Sequence, residues 1–183
     1  MDKSSIEGNK TRWKQYQYEH KDSLLKFARK MDICDTNAEE DIILAESFSR
    51  ALAARAIFNN YRNITVYPMP LYHHFDFLVV DEDGNKRGVE AKYRNNECGH
   101  YPTDDISMTK KDYNAAVSSE FPIDLYYTFF DGTVRVYDLN GKSNDGTWTH
   151  SKTTAIQGRT ITDSRLSYNP MDALWTTTVS IPL

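Results

Sequence analysis

Cysteine is scarce: Cys34 and Cys98 are too few among 183 residues for a disulfide framework, so a reduced, cytoplasmic setting is expected. No apolar run approaches the length of a membrane span, and the opening MDKSSIEGNKTRWKQ lacks the apolar stretch of a signal peptide, so no membrane association is expected. The eight glycines never form GxGxxG or GxxxxGK, which leaves no phosphate-cradling loop. Gly-x-Ser-x-Gly is absent as well, and with it any support for a serine hydrolase. Positive charge is not in excess: the net charge of −4 speaks mildly against nucleic acid, whose phosphates usually call for a basic surface. The distribution softens this, because residues 1–31 hold eight Lys/Arg and four Asp/Glu, a net of +4, leaving −8 for the rest.

What is present is a globular composition, 39% hydrophobic and 13% aromatic, in a length that fits one domain over 1–183. Residues 1–35 read as a helical appendage, because Trp13, Tyr16, His20, Leu24, Phe27 and Met31 recur three or four apart and share a face. Asp35-Thr36-Asn37 offers an N-cap, with Glu39, Glu40 and Asp41 in the first turn of a second helix. Ile43, Phe48, Leu52, Ala56 and Ile57 give that helix its core face, and Asn59-Asn60 its end.

From residue 64 the period changes to that of strands. Ile64–Tyr67 is followed by HFDFLVVD (74–81), a turn at Asp83-Gly84, and the partner strand KRGVEAKYR. Thr109–Val117 reads as helical, then DLYYTFF (124–130) turns at Asp131-Gly132 into Thr133–Leu139. The order over 37–139 predicts an α/β core, one mixed sheet flanked by helices. Residues 140–183 are rich in Thr and Ser and end in WTTTVSIPL, a β-rich extension whose place in the fold stays open.

The stretch GVEAKYR (88–94) carries the chemistry. An acid and a lysine two apart is a cheap pattern, and Glu19-His20-Lys21 repeats it on the first helix, where the two side chains diverge by about 200°. In a strand Glu90, Lys92 and Arg94 instead share one face. Asp76 lies inside the apolar strand just before the hairpin, where an acid is costly unless paired or metal-bound. The turn brings the two strands together, so Asp76 and Glu90 are expected side by side, and a divalent cation would relieve their repulsion. Oxygen ligands suit Mg²⁺, with Mn²⁺ able to substitute, better than zinc. Lys92 would serve a phosphate or an attacking water, the equipment of metal-assisted phosphodiester hydrolysis. The alternative is a structural ion network of Asp76 and Glu90 with Lys92.

Asp76, a thirteen-residue spacer and Glu90-Ala91-Lys92 resemble the PD-(D/E)XK nuclease superfamily, whose core is a helix, a three-strand meander, a second helix and a further strand. The superfamily's proline before the acid is replaced by Phe75. The resemblance implies a restriction-endonuclease-like fold and a Mg²⁺-dependent endonuclease acting on DNA. It implies Asp76, Glu90 and the Ala91 carbonyl as metal ligands, Glu46 on the preceding helix as a further one, and Lys92 as the catalytic lysine. A homodimer would cut both strands, and a monomer would nick.

Among other residues, His74 lies two before Asp76, where it would sit beside the metal or touch substrate, or else be a solvated histidine at a strand entrance. Arg94, Lys110 and Lys111 follow the motif and would hold phosphates, or form an ordinary solvated helix start. His73, His74, Cys98 and His100 lack the paired spacing of a zinc site. A second reading of the whole chain is a non-catalytic binding protein on the same fold, its partner a nucleic acid or a protein. Loss of metal affinity on changing Asp76 or Glu90 separates the two.

Overall fold

Glu40–Asn60 forms α1, and its apolar spacing decides what the rest packs against. Phe48, Leu52, Ala53, Ala56 and Ile57 recur along one face and are fully buried against a sheet. The computed structural model describes residues 40–70, 73–94, 96–107, 120–139, 149–156 and 159–179, together with scattered positions between 11 and 26. The expected helix at Thr109–Val117, with Lys110 and Lys111, lies outside the described residues, as do the N-cap at 35–37 and the side chain of Ile43.

The main sheet has six strands in the order β1-β2-β3-β5-β6-β9. These are Thr65–Pro68, Phe77–Val80, Lys86–Arg94, Ile123–Phe129, Thr133–Asp138 and Trp175–Thr178. Every neighbouring pair is antiparallel except β3 and β5, which run parallel from Gly88 opposite Ile123 to Arg94 opposite Phe129. A parallel pair needs a long crossover, and residues 95–122 supply it. Within that crossover β4 (Asp104–Ser107) joins a second sheet of order β4-β8-β7, with β7 spanning Thr149–Ile156 and β8 Arg159–Tyr168. The chain is thus a mixed α/β protein with a mixed six-stranded sheet.

Strand alternation divides the sheet into two faces. Phe77, Val79, Val89, Ala91, Tyr126, Val134 and Val136 face α1. Leu125, Tyr127, Phe129 and Tyr137 face the other way and pack with Phe75, with Ile106 of β4 and with Tyr168 of β8. Among the described residues the second face is therefore covered by strands of the smaller sheet rather than by a helix. The C-terminal extension divides its strands between the sheets: β7 and β8 pair as a hairpin in the small sheet, and β9 extends the large one beyond β6.

The turns follow from backbone chemistry. Gly84 and Gly132 take φ near +81° and +82°, conformations that only glycine adopts without strain. The Asp81 carboxylate closes the first turn by accepting N–H groups from Asp83 and Asn85. Gly88 marks a close approach, since a Cβ there would meet Ile123 Cγ1 at 3.0 Å. The helical positions between 11 and 26 include Leu25, which is buried, and Lys14, whose ammonium lies 5.3 Å from the Phe130 ring centroid. His20, expected on the apolar face, is exposed.

Buried polar contacts join the sheets. Asp104 on β4 is 2% exposed and accepts hydrogen bonds from Arg135 Nη1 (2.9 Å) and the Tyr137 hydroxyl, both on β6. Removing one partner of a buried ion pair leaves the other charge uncompensated. Asp104→Ala is expected to cost about 3 kcal/mol, read as a lower midpoint in urea unfolding. An unchanged midpoint would show that the Asp104 cluster does not hold the sheets together.

At the start of the parallel pair, Arg87 reaches the buried Asp124 at 2.7 Å. Burial pushes the Asp124 carboxyl up to about 6, against the opposing pull of Arg87. The unfolded carboxyl releases its proton near about pH 4, so between there and about pH 6 the folded state binds more protons. Stability from this group is therefore present below about pH 4 and is lost as pH rises through 6. From pH 4 to 7 the wild type should lose about 2–3 kcal/mol relative to Asp124→Asn. Parallel pH profiles for the two proteins would contradict this.

Candidate active site

β3 spans Lys86–Arg94, the residues expected from the sequence, and its alternation can be read from its neighbours. Val89 and Ala91 pack toward α1, so Glu90 and Lys92 point to the opposite face. There they stand in register with Leu125 and Tyr127 of β5. Glu90 is buried at 5% exposure, and Lys92 is half-buried.

Asp76 sits at the edge of this strand. The expected strand over 74–81 is shorter than the sequence suggests: residues 73–76 bend, and β2 begins at Phe77. Asp76 still bonds to both neighbours, its N–H to the Val89 carbonyl (2.7 Å) and its carbonyl to the Met69 N–H (2.9 Å). Its carboxylate then does what the departing chain no longer can. Oδ2 accepts the Ala91 N–H at 2.7 Å, satisfying a ladder donor that would otherwise be stranded. Asp76 is thus hydrogen-bonded to the peptide that links Glu90 to Ala91.

The other carboxylate oxygen faces a residue that sequence reasoning missed. Arg50, near the middle of α1, places Nε 3.1 Å from Asp76 Oδ1, an ion contact outside hydrogen-bond alignment. Its Nη2 donates to the Asp76 carbonyl (2.7 Å) and the Met69 carbonyl (2.9 Å), and its guanidinium lies 5.3 Å from the Phe77 ring centroid. Arg50 is 5% exposed. The sequence marks only the cost: Arg50 lies three residues before Ala53 and seven before Ile57, so it adjoins the buried face, where an arginine is expensive unless paired. Next to it Ser49 Oγ lies 3.3 Å from Thr128 Oγ1, whose hydroxyl donates to the Lys92 carbonyl. α1, β3 and β5 are fixed together beneath the candidate residues.

The donor set suits a hard cation. The candidate carboxylates are Asp76 and Glu90, but Asp76 Oδ1 turns to Arg50 of α1 whereas Glu90 points to the opposite face, and the Ala91 carbonyl projects to the strand edge where its N–H meets Asp76. Mg²⁺ needs only one or two carboxylates, the remainder of its shell being water and substrate oxygens. Asp76, Glu90 and Glu46 do not gather into one group: no cluster of three or more His, Cys, Asp or Glu with metal-binding geometry occurs among the described residues. Glu46 is exposed on α1, one turn before Arg50 and on the side of the sheet away from Glu90.

Arg94 is engaged. It donates to the Tyr127 hydroxyl and to the Asp105 carbonyl, with its guanidinium 4.9 Å from the Tyr127 ring centroid. These contacts anchor β4 to the sheet and leave the expected phosphate contact to compete with them. His74 lies in the bend, its ring centroid 5.7 Å from that of His73, where strand alternation no longer fixes the two apart. Cys98 donates its N–H to Asp131, and burial pushes its thiol up to about 11, away from thiolate chemistry.

No family model matches the chain, and comparison with curated proteins and with solved structures finds no significant similarity.

Proposed function

We propose that the chain is a metal-dependent nuclease of the PD-(D/E)XK type that hydrolyses DNA phosphodiester bonds. The observation that carries this reading is the hydrogen bond from the Glu90–Ala91 peptide to the Asp76 carboxylate, which joins the two halves of the motif at one strand edge. The element order supports it: a helix, an antiparallel three-strand meander, then a strand parallel to the third. Asp76, Glu90 and the Ala91 carbonyl would hold Mg²⁺, or Mn²⁺ in its place. The ion would supply positive charge to the scissile phosphate and lower the cost of generating a nucleophile from water. Lys92, two residues from Glu90 on the same face, would orient that water and offset charge in the transition state. The half-buried setting gives these charges more effect than they have in water.

A second reading, a non-catalytic protein that binds nucleic acid or another protein on this scaffold, is favoured by one observation. Both Asp76 carboxylate oxygens are already engaged, one by Arg50 and one by the Ala91 N–H. In that case Asp76 and Arg50 form a structural pair, with Arg50 rather than Lys92 as the cation.

Incubation with supercoiled, linear and branched DNA in Mg²⁺, Mn²⁺ or EDTA tests the proposal. Cleavage that needs the metal supports it. Absence of cleavage on all three substrates, together with a melting temperature indifferent to Mg²⁺ and Mn²⁺, would favour the binding protein.

A further inference from the structure

Arg50 meets Asp76 incompletely. Its Nη2 is anchored on the Met69 and Asp76 carbonyls. Nε stands 3.1 Å from Asp76 Oδ1, yet among the described residues its buried N–H has no aligned hydrogen bond. A guanidinium binds a carboxylate best as a fork, two parallel N–H groups on the two oxygens. Here Oδ2 is turned to the Ala91 N–H at 2.7 Å, so the fork does not close. The pair gains charge attraction and little of the directional bonding that would fix it.

The two partners differ in freedom. Arg50 is buried on a helix packed against the sheet, held by two carbonyls and with Cζ 5.3 Å from the Phe77 ring centroid. Asp76 lies in the bend over 73–76, ahead of β2, and its side chain keeps 22% exposure. Its carboxylate can turn without disturbing the backbone bonds of Asp76 to Val89 and Met69. The arginine cannot follow it. Oδ1 is the movable half of the contact.

We propose that Arg50 is a positioning residue that competes with a divalent cation for Asp76 Oδ1. In the metal-free chain it holds the carboxylate on the α1 side, and it gives the oxygen up when Asp76 and Glu90 take the cation. The inference rests on the metal-dependent reading of those two acids. It gives a reason why Oδ1 turns to α1 while Glu90 points to the opposite face. A fixed cation beside a ligand oxygen opposes a second one, and at this distance the effect is worth a factor of about ten or more. Arg50 thus sets a threshold metal concentration, and below it keeps the Asp76 charge compensated.

Titration of the full chain with Mn²⁺, followed by the paramagnetic resonance signal of the free ion, tests this without requiring cleavage. Arg50→Met should bind Mn²⁺ about tenfold more tightly than the wild type. Arg50→Lys keeps a charge but not the fork, and should fall between the two. Asp76→Asn added to Arg50→Met should abolish the gain. A merely structural arginine would lower the melting temperature on substitution and leave Mn²⁺ affinity where it was. Equal affinity in the wild type and in a folded Arg50→Met would therefore overturn the proposal, and if Arg50→Met does not fold, equal affinity in Arg50→Lys does so. Mn²⁺ held equally by the wild type and the Arg50 variants but lost in Glu90→Gln would leave the nuclease reading standing. No Mn²⁺ bound by any of them would overturn both.

Discussion

Glu90→Gln and Lys92→Ala should each lower DNA cleavage by about a hundredfold to a thousandfold, the usual loss when one preorganised electrostatic contact to a transition state is removed. Glutamine keeps the volume of Glu90, which matters because the residue is 5% exposed and a smaller side chain would leave a void. It removes only the charge. Lys92 is half-buried and ends in a positive charge that alanine cannot replace, and its backbone carbonyl still accepts from Thr128 after the change. Melting temperatures within a few degrees of the wild type would show that the fold survives. Cleavage at the wild-type rate in either variant would mean that the GVEAKYR strand is not the reacting centre.

Arg50→Met should destabilise the protein by about 3 kcal/mol, near the lower end of the range for breaking a buried ion pair from one side. The lower end applies because Asp76 keeps 22% side-chain exposure and retains some hydration. In a domain of this length the loss corresponds to roughly 6–12 °C in melting temperature. Methionine fills a comparable volume but removes the Arg50 donor from the Met69 carbonyl and one of the two donors to the Asp76 carbonyl, which keeps the Met69 N–H. Much of the cost comes from the stranded carboxylate, so Asp76→Asn in the same background should recover part of it. The two changes should therefore be non-additive by about 1 kcal/mol or more. Strict additivity would show that the contact seen at 3.1 Å contributes nothing to stability.

Regular strands and glycine turns were legible from sequence because a single physical rule governs each. Lys86–Arg94 was read to its ends, and the turns at Gly84 and Gly132 stand where expected. β2 was read too long because apolar alternation runs through Phe75, while the chain bends there and lets Asp76 replace backbone pairing with its carboxylate. β4 is not among the strands expected from sequence, since DDIS has no apolar alternation, and its strand character comes from pairing with β8. The hairpin of β7 and β8 is similarly polar, and only its partner defines it. At the candidate site, Asp76 beside the Glu90–Ala91 peptide was readable from the hairpin. Arg50 was not, because its partner lies 26 residues away and spacing along a helix carries no information about that distance.

The lone parallel seam has a consequence for how the chain assembles. The meander Thr65–Arg94 and the hairpin Ile123–Asp138 each close over short loops, so each forms from contacts near in sequence. Joining them requires closing the connection over residues 95–122, and loop closure is costly before the parallel bonds between Gly88 and Arg94 repay it. Asp76 and Glu90 are both on the early side of that junction, whereas Leu125 and Tyr127, which stand beside Glu90 and Lys92, are on the late side. Glu90 and Lys92 thus share a strand face before the wall beside them arrives, and a fragment ending near residue 110 would leave that face without Leu125 and Tyr127.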